Sequence, residues 1–285
     1  MTEAPAIREY LLAGRNQDGG WGYVRGKASR LEPTCCAAIA LGDRFHASLT
    51  TWPVKDGLLL ERAGGDANYG FHALALLALS AAHAEHETGN QALLVALQHA
   101  AGLRFAPSTI NRQNNHLQGW SWIDETFSWI EPPAWGVLAL KRAREVGWHG
   151  VDDARLRESE SVLFDRVCGS GGWNYGNSNM LGRELHAYVP TTAIALLALQ
   201  DKRENPAVRR SVAFLEAHAT WECSSYALGL AAIALRAYDR DVSGVLETLE
   251  RQIPITCDLG QQLGLALAAL ALQDERASAA FRLRS

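Results

Sequence analysis

Six short segments of the chain are apolar at almost every position. Each segment closes with an Ala-Leu pair, and the pairs end at Leu41, Leu79, Leu140, Leu199, Leu235 and Leu272. A helix that is hydrophobic on every face must be surrounded by protein rather than by water. The pattern therefore predicts six buried helices distributed along the chain.

Amphipathic segments lie between the apolar ones. Val208, Val212 and Leu215 follow one another at i, i+4 and i+7, which is the spacing of a helix that buries one stripe. Similar spacing recurs around Ile7, Leu94 and Val245. Buried helices that alternate with half-exposed ones predict an all-α fold, a single α6/α6 toroid with an apolar inner ring.

An open solenoid of the same helix pairs is the alternative architecture. Solenoids carry polar capping repeats at their ends, whereas the last apolar run, which ends at Leu272, is as apolar as the middle runs. This favours a closed ring. Linkers rich in proline or serine are absent from the sequence, so we expect one domain over residues 1–285.

A Gly-Trp pair precedes three of the apolar runs, at Gly20-Trp21, Gly119-Trp120 and Gly172-Trp173. Because these tryptophans recur at the same place in the repeat, we expect them to pack between helix ends. Four further aromatic residues come shortly before predicted inner helices and have two interpretations, as core or as the wall of a cavity. They are Tyr69, Trp122, Trp129 and Tyr188.

Acidic residues stand near the starts of three predicted inner helices. Glu32 and Glu131 each precede a proline, and Asp258 follows Cys257. They are interpreted either as first-turn acids that stabilise the helix or as carboxylates that face a cavity. The positive end of the helix dipole favours the charged form of such a group and so lowers its pKa.

Bulk composition excludes several functions. A formal charge of −4 and a pI near 6.1 argue against a general nucleic-acid binder. No apolar run has the roughly 18 residues that a membrane span requires, and no signal-peptide core is seen, so a cytoplasmic location is expected, with peripheral membrane association left open.

The five cysteines show no CxxC spacing and predict neither a disulfide framework nor a zinc site. His83 and His86 form only a weak metal-binding pattern.

The sequence QDGGWG at residues 17–22, the later Gly-Trp turns and the helix starts Pro33-Thr34 and Pro190-Thr191 resemble the prenyltransferase/squalene-oxidase repeat. This repeat occurs in squalene–hopene cyclases and in the β subunits of protein prenyltransferases. The resemblance implies a toroid that handles an apolar, isoprenoid-sized molecule. The family's Asp-x-Asp-Asp acid is represented here only by Glu131, and the family's zinc ligands are incomplete.

The resemblance gives three hypotheses: an isoprenoid-handling enzyme of the terpene cyclase type, a non-catalytic isoprenoid or lipid binder, and a protein-interaction scaffold with rim loops at 105–118 and 176–189. The candidate catalytic residues are Glu131, Glu32 and Asp258. The candidate substrate-binding residues are Trp122, Trp129, Tyr69, Tyr188, Lys27, Arg30 and Asp124. No resident metal or cofactor is expected, and magnesium would enter only with a diphosphate ligand near Asp124.

Overall fold

Six buried helices form the centre of the computed structural model, which describes residues 4–42, 45–81 and 87–284. They are α2 (Leu31–Leu41), α4 (Tyr69–Ala81), α6 (Glu131–Glu145), α8 (Val189–Ala198), α10 (Ser225–Ala237) and α12 (Gln262–Leu272). Each contains one of the six apolar runs. Each packs against the next along the chain, and α12 also packs against α2, so the ring is closed. The predicted all-α toroid is confirmed.

Five outer helices surround this ring: α1 (Ala4–Ala13), α5 (Glu87–His99), α7 (Asp153–Asp165), α9 (Pro206–His218) and α11 (Ser243–Asp258). They bury one stripe, as Val208, Val212 and Leu215 illustrate on α9. The outer position between α2 and α4 is different. It holds the short helix α3 (Ala47–Thr50) and a hairpin of β1 (Val54–Lys55) with β2 (Leu58–Leu59), which are antiparallel with Val54 opposite Leu59.

A last helix, α13 (Asp274–Phe281), covers the end of the ring where the inner helices finish. The Gln200 amide, just after α8, donates to the Phe281 carbonyl at 2.6 Å, and Arg142 near the end of α6 donates to the Ala279 carbonyl at 2.8 Å. The Phe281 ring also packs on Trp135 at 5.8 Å between centroids. A ligand must therefore approach from the opposite end, where the inner helices begin.

The interior of the ring is filled with side chains. Residues with no exposed surface occur on all six inner helices, for example Ala37, Leu74, Val137, Ile194, Ala231 and Ala268. Beyond their first turns these helices are buried around their circumference, as their apolar sequences predict. None of the helices in the described ranges is both long and apolar enough to cross a membrane. The histidines at 83 and 86 lie outside the described residues.

The three repeated tryptophans join outer helices to inner ones. Each is fully buried, and each indole N–H donates to a carbonyl of the preceding outer helix: Trp21 to Leu11 at 2.8 Å, Trp120 to Leu97 at 2.7 Å and Trp173 to Leu163 at 2.7 Å. The prediction that these tryptophans are structural is confirmed. We call this contact the indole bridge.

Threonines of the inner helices complete two of the indole bridges. The Trp21 amide donates to Thr34 Oγ1 and the Trp173 amide donates to Thr192 Oγ1, both at 2.9 Å. The preceding glycine is required by close approach, since a Cβ on Gly172 would lie 2.7 Å from Thr192 Oγ1 and its φ is +77°. The repeated Gly-Trp and Thr residues are therefore one packing unit.

Replacing Trp173 by Phe tests the indole bridge. The change removes the indole donor, leaves the Leu163 carbonyl with only the Arg166 amide at 3.3 Å, and opens space in the core, so we expect the free energy of unfolding to fall by about 2–4 kcal/mol. The matched control is Trp221→Phe, because Trp221 is 76 % exposed and should change stability by less than about 0.5 kcal/mol. Equal effects in urea denaturation would contradict the structural role given to Trp173.

The remaining short strands lie at the open end. β3 (Asn179–Met180) and β4 (Arg183–Glu184) pair antiparallel with Asn179 opposite Glu184. The amide of Leu181, at the tip of this hairpin, donates to the Ile110 carbonyl at 2.7 Å. The two long loops around residues 105–118 and 176–189 are thus joined to one another beside the ring.

Candidate functional site

Glu32 lies in the first turn of α2 at the open end of the ring. Its side chain is only 9 % exposed, and the Tyr23 hydroxyl donates to Glu32 Oε2 at 2.7 Å. Burial is the main reason that the pKa of Glu32 is raised to about 8; the hydrogen bond from Tyr23 opposes the increase, and the charges of Glu131 and Glu61 add to it. Glu32 is therefore largely protonated at neutral pH.

Glu131 is the first residue of α6 and is also 9 % exposed. The Thr191 hydroxyl, on the neighbouring helix α8, donates to Glu131 Oε1 at 3.1 Å. Burial raises the pKa of Glu131 to about 7, while the hydrogen bond from Thr191 lowers it. We call Glu32 and Glu131 the glutamate pair.

The glutamate pair shares one electrostatic environment although α4 separates α2 from α6 in the ring. The charge of Glu131 raises the pKa of Glu32, and the charges of both carboxylates raise the pKa of Tyr226 at the start of α10. The pKa of the Tyr226 hydroxyl is raised by burial first and then by Glu32 and Glu131. Side chains from α2, α6, α8 and α10 therefore meet over the beginning of the inner ring.

The expected direction of the pKa shift of these carboxylates is wrong. A helix N-terminus favours the charged form, but that effect is typically about 0.3–1 kcal/mol. Loss of hydration is larger here because closure of the ring leaves both glutamates almost without water. The pKa values of Glu32 and Glu131 consequently lie above, and not below, their ordinary range.

Tyr69, Trp122 and Asp124 form a second group at the same end. Tyr69 is the buried first residue of α4, and its amide donates to the Trp122 carbonyl at 3.1 Å. Burial, together with the charge of and a hydrogen bond to Asp124, raises the pKa of Tyr69 to about 12. The half-buried Trp122 ring packs on Phe71 at 5.6 Å between centroids. Asp124 itself is exposed.

Tyr188 and Trp129 lie along the exposed side of the glutamate pair. Tyr188 is about half exposed and its ring lies 5.2 Å from that of Tyr175, whose pKa is raised by burial and then by the charges of Glu131 and Tyr188. Trp129 is two residues before Glu131, and its ring lies 4.4 Å from that of Phe127. Aromatic surface thus borders Glu131 on the side open to solvent.

The remaining candidates either lie apart from the glutamate pair or are already paired with another side chain. Arg30 forms an ion pair with Glu61 at 2.6 Å, and Lys27 is exposed. Asp258 is the exposed last residue of the outer helix α11. Within the described ranges, no group of three or more His, Cys, Asp and Glu side chains is placed to hold a metal ion.

Sequence reasoning missed Tyr23, Tyr175 and Thr191 as members of the site. Two of them had a signal: Tyr23 and Tyr175 each stand two residues after a repeated tryptophan, as Trp122 does after Trp120. Residues i and i+2 of an extended segment point to the same side. The pattern Trp-x-aromatic therefore marks the side chains that follow each indole bridge.

Comparison with known proteins gives a likeness in fold. No family model matches the chain, and no curated protein matches it. The solved structure of the endo-β-1,4-glucanase CMCax from Acetobacter xylinum superposes with a TM-score of 0.57 and 12 % sequence identity. The match covers 96 % of this chain and 99 % of that one. The chain therefore has the helical toroid architecture found in that glucanase.

These findings correct the expected family and function. The assignment to the prenyltransferase/squalene-oxidase repeat family, and with it a terpene cyclase-like function, is wrong: no family model supports it, and the solved structure described above is that of a glucanase. The lipid-binder and scaffold alternatives find no support either. The physical reason is that the Gly-Trp turns serve helix packing, while the filled interior leaves no room for a long apolar chain.

The raised pKa values predict how stability depends on pH. Because the folded-state pKa of Glu32 (about 8) exceeds the ordinary 4.5, the stability that its protonated form contributes is present below pH 4.5 and is lost as pH rises through 8. Glu32→Gln cannot ionise, so its stability relative to the parent protein should increase by about 2–4 kcal/mol between pH 5 and 9.

The matched control for this experiment is Glu247→Gln. Glu247 is exposed on the outer helix α11 and pairs with Arg251 at 2.7 Å, and the buried residues of that helix include no carboxylate. Urea denaturation at several pH values measures all three proteins. A stability difference between Glu32→Gln and the parent that does not change with pH would contradict the buried, protonated state of Glu32.

Proposed function

We propose that the protein is a glycoside hydrolase in which Glu32 is the general acid and Glu131 the general base. Enzymes that hydrolyse glycosidic bonds commonly place two carboxyl groups on either side of the bond. The observation that carries the proposal is the glutamate pair, two nearby buried carboxyl groups at the open end of the ring whose pKa values lie near neutral pH.

The environments of the two glutamates assign their roles. Both pKa values are raised toward neutral pH, to about 8 for Glu32 and about 7 for Glu131, and we assign the acid role to Glu32 because its pKa is raised further. Carboxyl groups whose environments separate their pKa values act as an acid and a base. The Thr191 hydroxyl supports the role of Glu131 because it donates to the ionised form.

The reaction follows from these protonation states. Glu32 transfers its proton to the glycosidic oxygen while the bond from that oxygen to the anomeric carbon breaks. A water molecule attacks the anomeric carbon and gives a proton to the Glu131 carboxylate. One sugar leaves with a new hydroxyl group, the other carries the oxygen of water, and proton exchange with solvent returns Glu32 and Glu131 to their starting states.

The surroundings of the glutamate pair also suit a sugar. Tyr175 and Tyr188 present exposed rings beside Glu131, and Trp122 is half exposed near the start of α4. Sites for small ligands combine aromatic surface with a few placed polar groups. The likeness to an endo-β-1,4-glucanase adds that this architecture serves glycan hydrolysis in another protein.

Hydrolysis assays on β-1,4-glucan and on aryl glycosides test the proposal. We expect activity that rises with pH through about 7, as Glu131 ionises, and falls through about 8, as Glu32 does. Glu32→Gln and Glu131→Gln should each lower kcat by about 10²–10⁴-fold. Glu247→Gln, on the outer ring, should retain the parent rate.

A leaving group that needs no proton separates the two roles. Glu32→Gln should recover much of its rate on a 2,4-dinitrophenyl glycoside, because dinitrophenolate departs without protonation, and its pH profile should lose the alkaline limb. Glu131→Gln should recover nothing. Absence of hydrolysis on every substrate by the folded parent protein, or equal behaviour of the two variants, would refute the proposal.

A further inference from the structure

A cavity of about 420 Å³ lies between the loop of residues 103–115 and Phe127, on the segment that leads into α6. This volume is within the roughly 300–1,000 Å³ typical of ligand pockets. Two phenylalanine rings and four amide side chains are among its lining residues. These are Phe105, Phe127, Asn111, Gln113, Asn115 and Asn177.

The loop that forms the cavity is fixed by hydrogen bonds. The Leu103 amide donates to the Thr126 carbonyl at 2.7 Å, and the Phe105 amide donates to the Asn115 carbonyl at 3.0 Å. The Asn114 amide donates to Asp165 Oδ2 at 2.9 Å. Because these bonds hold both ends of the loop, the cavity is a built feature of the fold.

The amide side chains form a chain with one unused acceptor. Gln113 Nε2 donates to Asn115 Oδ1 at 3.1 Å, and Asn115 Nδ2 donates to the Ala106 carbonyl at 3.3 Å. Gln113 Oε1 is buried and has no hydrogen-bond partner. Buried polar atoms normally have partners, and a rotation of the Gln113 side chain, which lines the cavity, would turn Oε1 toward a ligand that brings a donor such as a hydroxyl group.

The charges around the cavity favour a neutral ligand. The one cationic lining residue, Arg166, is buried and donates to the carbonyls of Ser128 and Trp129. Arg155 donates to the Gln118 and Gly119 carbonyls in the same way, and in both arginines Nε is buried without a partner. The arrangement therefore recurs in the fold and is structural. Asp165 accepts from the Asn114 amide. Amides that donate and accept, next to aromatic rings, match a neutral polyhydroxylated molecule.

An aromatic row leads from the cavity toward the start of α6, the helix that begins at Glu131. The Phe105 and Phe127 rings lie 6.5 Å apart, and the Phe127 and Trp129 rings lie 4.4 Å apart. Trp129 ring atoms lie beside Gly176, which follows Tyr175, and the Tyr175 amide carbonyl accepts from the Ile130 amide at 3.0 Å. The row therefore ends at Trp129, two residues before Glu131 and beside the segment that carries Tyr175.

We propose that this cavity binds sugar units of a neutral glycan chain on one side of the bond that the glutamate pair cleaves. The inference rests on the proposed function, and it specifies an oligosaccharide substrate held at two places. Sugar rings would stack on Phe105 and Phe127, and a sugar hydroxyl would donate to Gln113 Oε1.

Calorimetric titration of Glu32→Gln protein with β-1,4-linked glucose oligomers, from the disaccharide to the hexasaccharide, tests the proposal without turnover. Affinity should increase with chain length. Phe105→Ala in the same background should lower the affinity for the hexasaccharide by about tenfold and change the affinity for the disaccharide by less than about twofold. Gln113→Met, which nearly keeps the side-chain volume but removes the acceptor, should also lower the affinity for the hexasaccharide.

The matched control is Ile110→Ala, since Ile110 is about half exposed in the same loop and is not among the lining residues. Phe105 is 45 % exposed, so its replacement should leave the melting temperature nearly unchanged. Affinity that does not depend on chain length, or equal effects of Phe105→Ala and Ile110→Ala, would overturn the proposal.

Hydrolysis of a 2,4-dinitrophenyl glycoside by the parent protein separates this proposal from the proposed function. Such a substrate has no further sugar units to fill the cavity. Hydrolysis of it with no binding of any oligomer would overturn the cavity proposal alone. Length-dependent oligomer binding without hydrolysis of any substrate would refute the glycosidase and support the cavity as a glycan site.

Discussion

The indole bridge is the contact on which the rest of the structure depends. A buried tryptophan donates from its ring to the last turn of an outer helix, and its backbone amide is held by a threonine in the first turn of an inner helix. One residue thus fixes the distance and the direction between two helices. Three indole bridges, two of them completed by a threonine, place the beginnings of the inner helices together at one end, while α13 covers the other.

Convergence of the inner-helix starts explains why polar chemistry is confined to one end. Further along the ring, the apolar side chains of neighbouring helices fill the interior. At the first turns, Glu32, Glu131, Thr191 and Tyr226 come from four different helices and meet above this apolar base. The closed ring removes water from the carboxyl groups and so raises their pKa values, which is the property that the proposed acid and base require.

The sequence predicts the ring well and the site only in part. Apolar runs and their spacing identify all six inner helices, and the recurrence of Trp21, Trp120 and Trp173 predicts their structural role. The pKa direction was missed because burial of Glu32 and Glu131 depends on closure, which no local pattern contains. Asp258 does stand before the inner helix α12, but it is the exposed last residue of the outer helix α11, which a pattern of apolar runs does not reveal. The contact between Thr191 and Glu131 joins different helices and has no counterpart in local spacing.

The most direct test of the account is a pH titration of the glutamate side-chain carboxyl carbons by ¹³C nuclear magnetic resonance. Spectra of Glu32→Gln and Glu131→Gln assign the two signals. We expect pKa values of about 8 for Glu32 and about 7 for Glu131, and a lower value for Glu32 in the Glu131→Gln protein, where one negative charge is gone. Two values near 4.5 that do not respond to each other's replacement would contradict the claim that these residues form a buried, interacting pair.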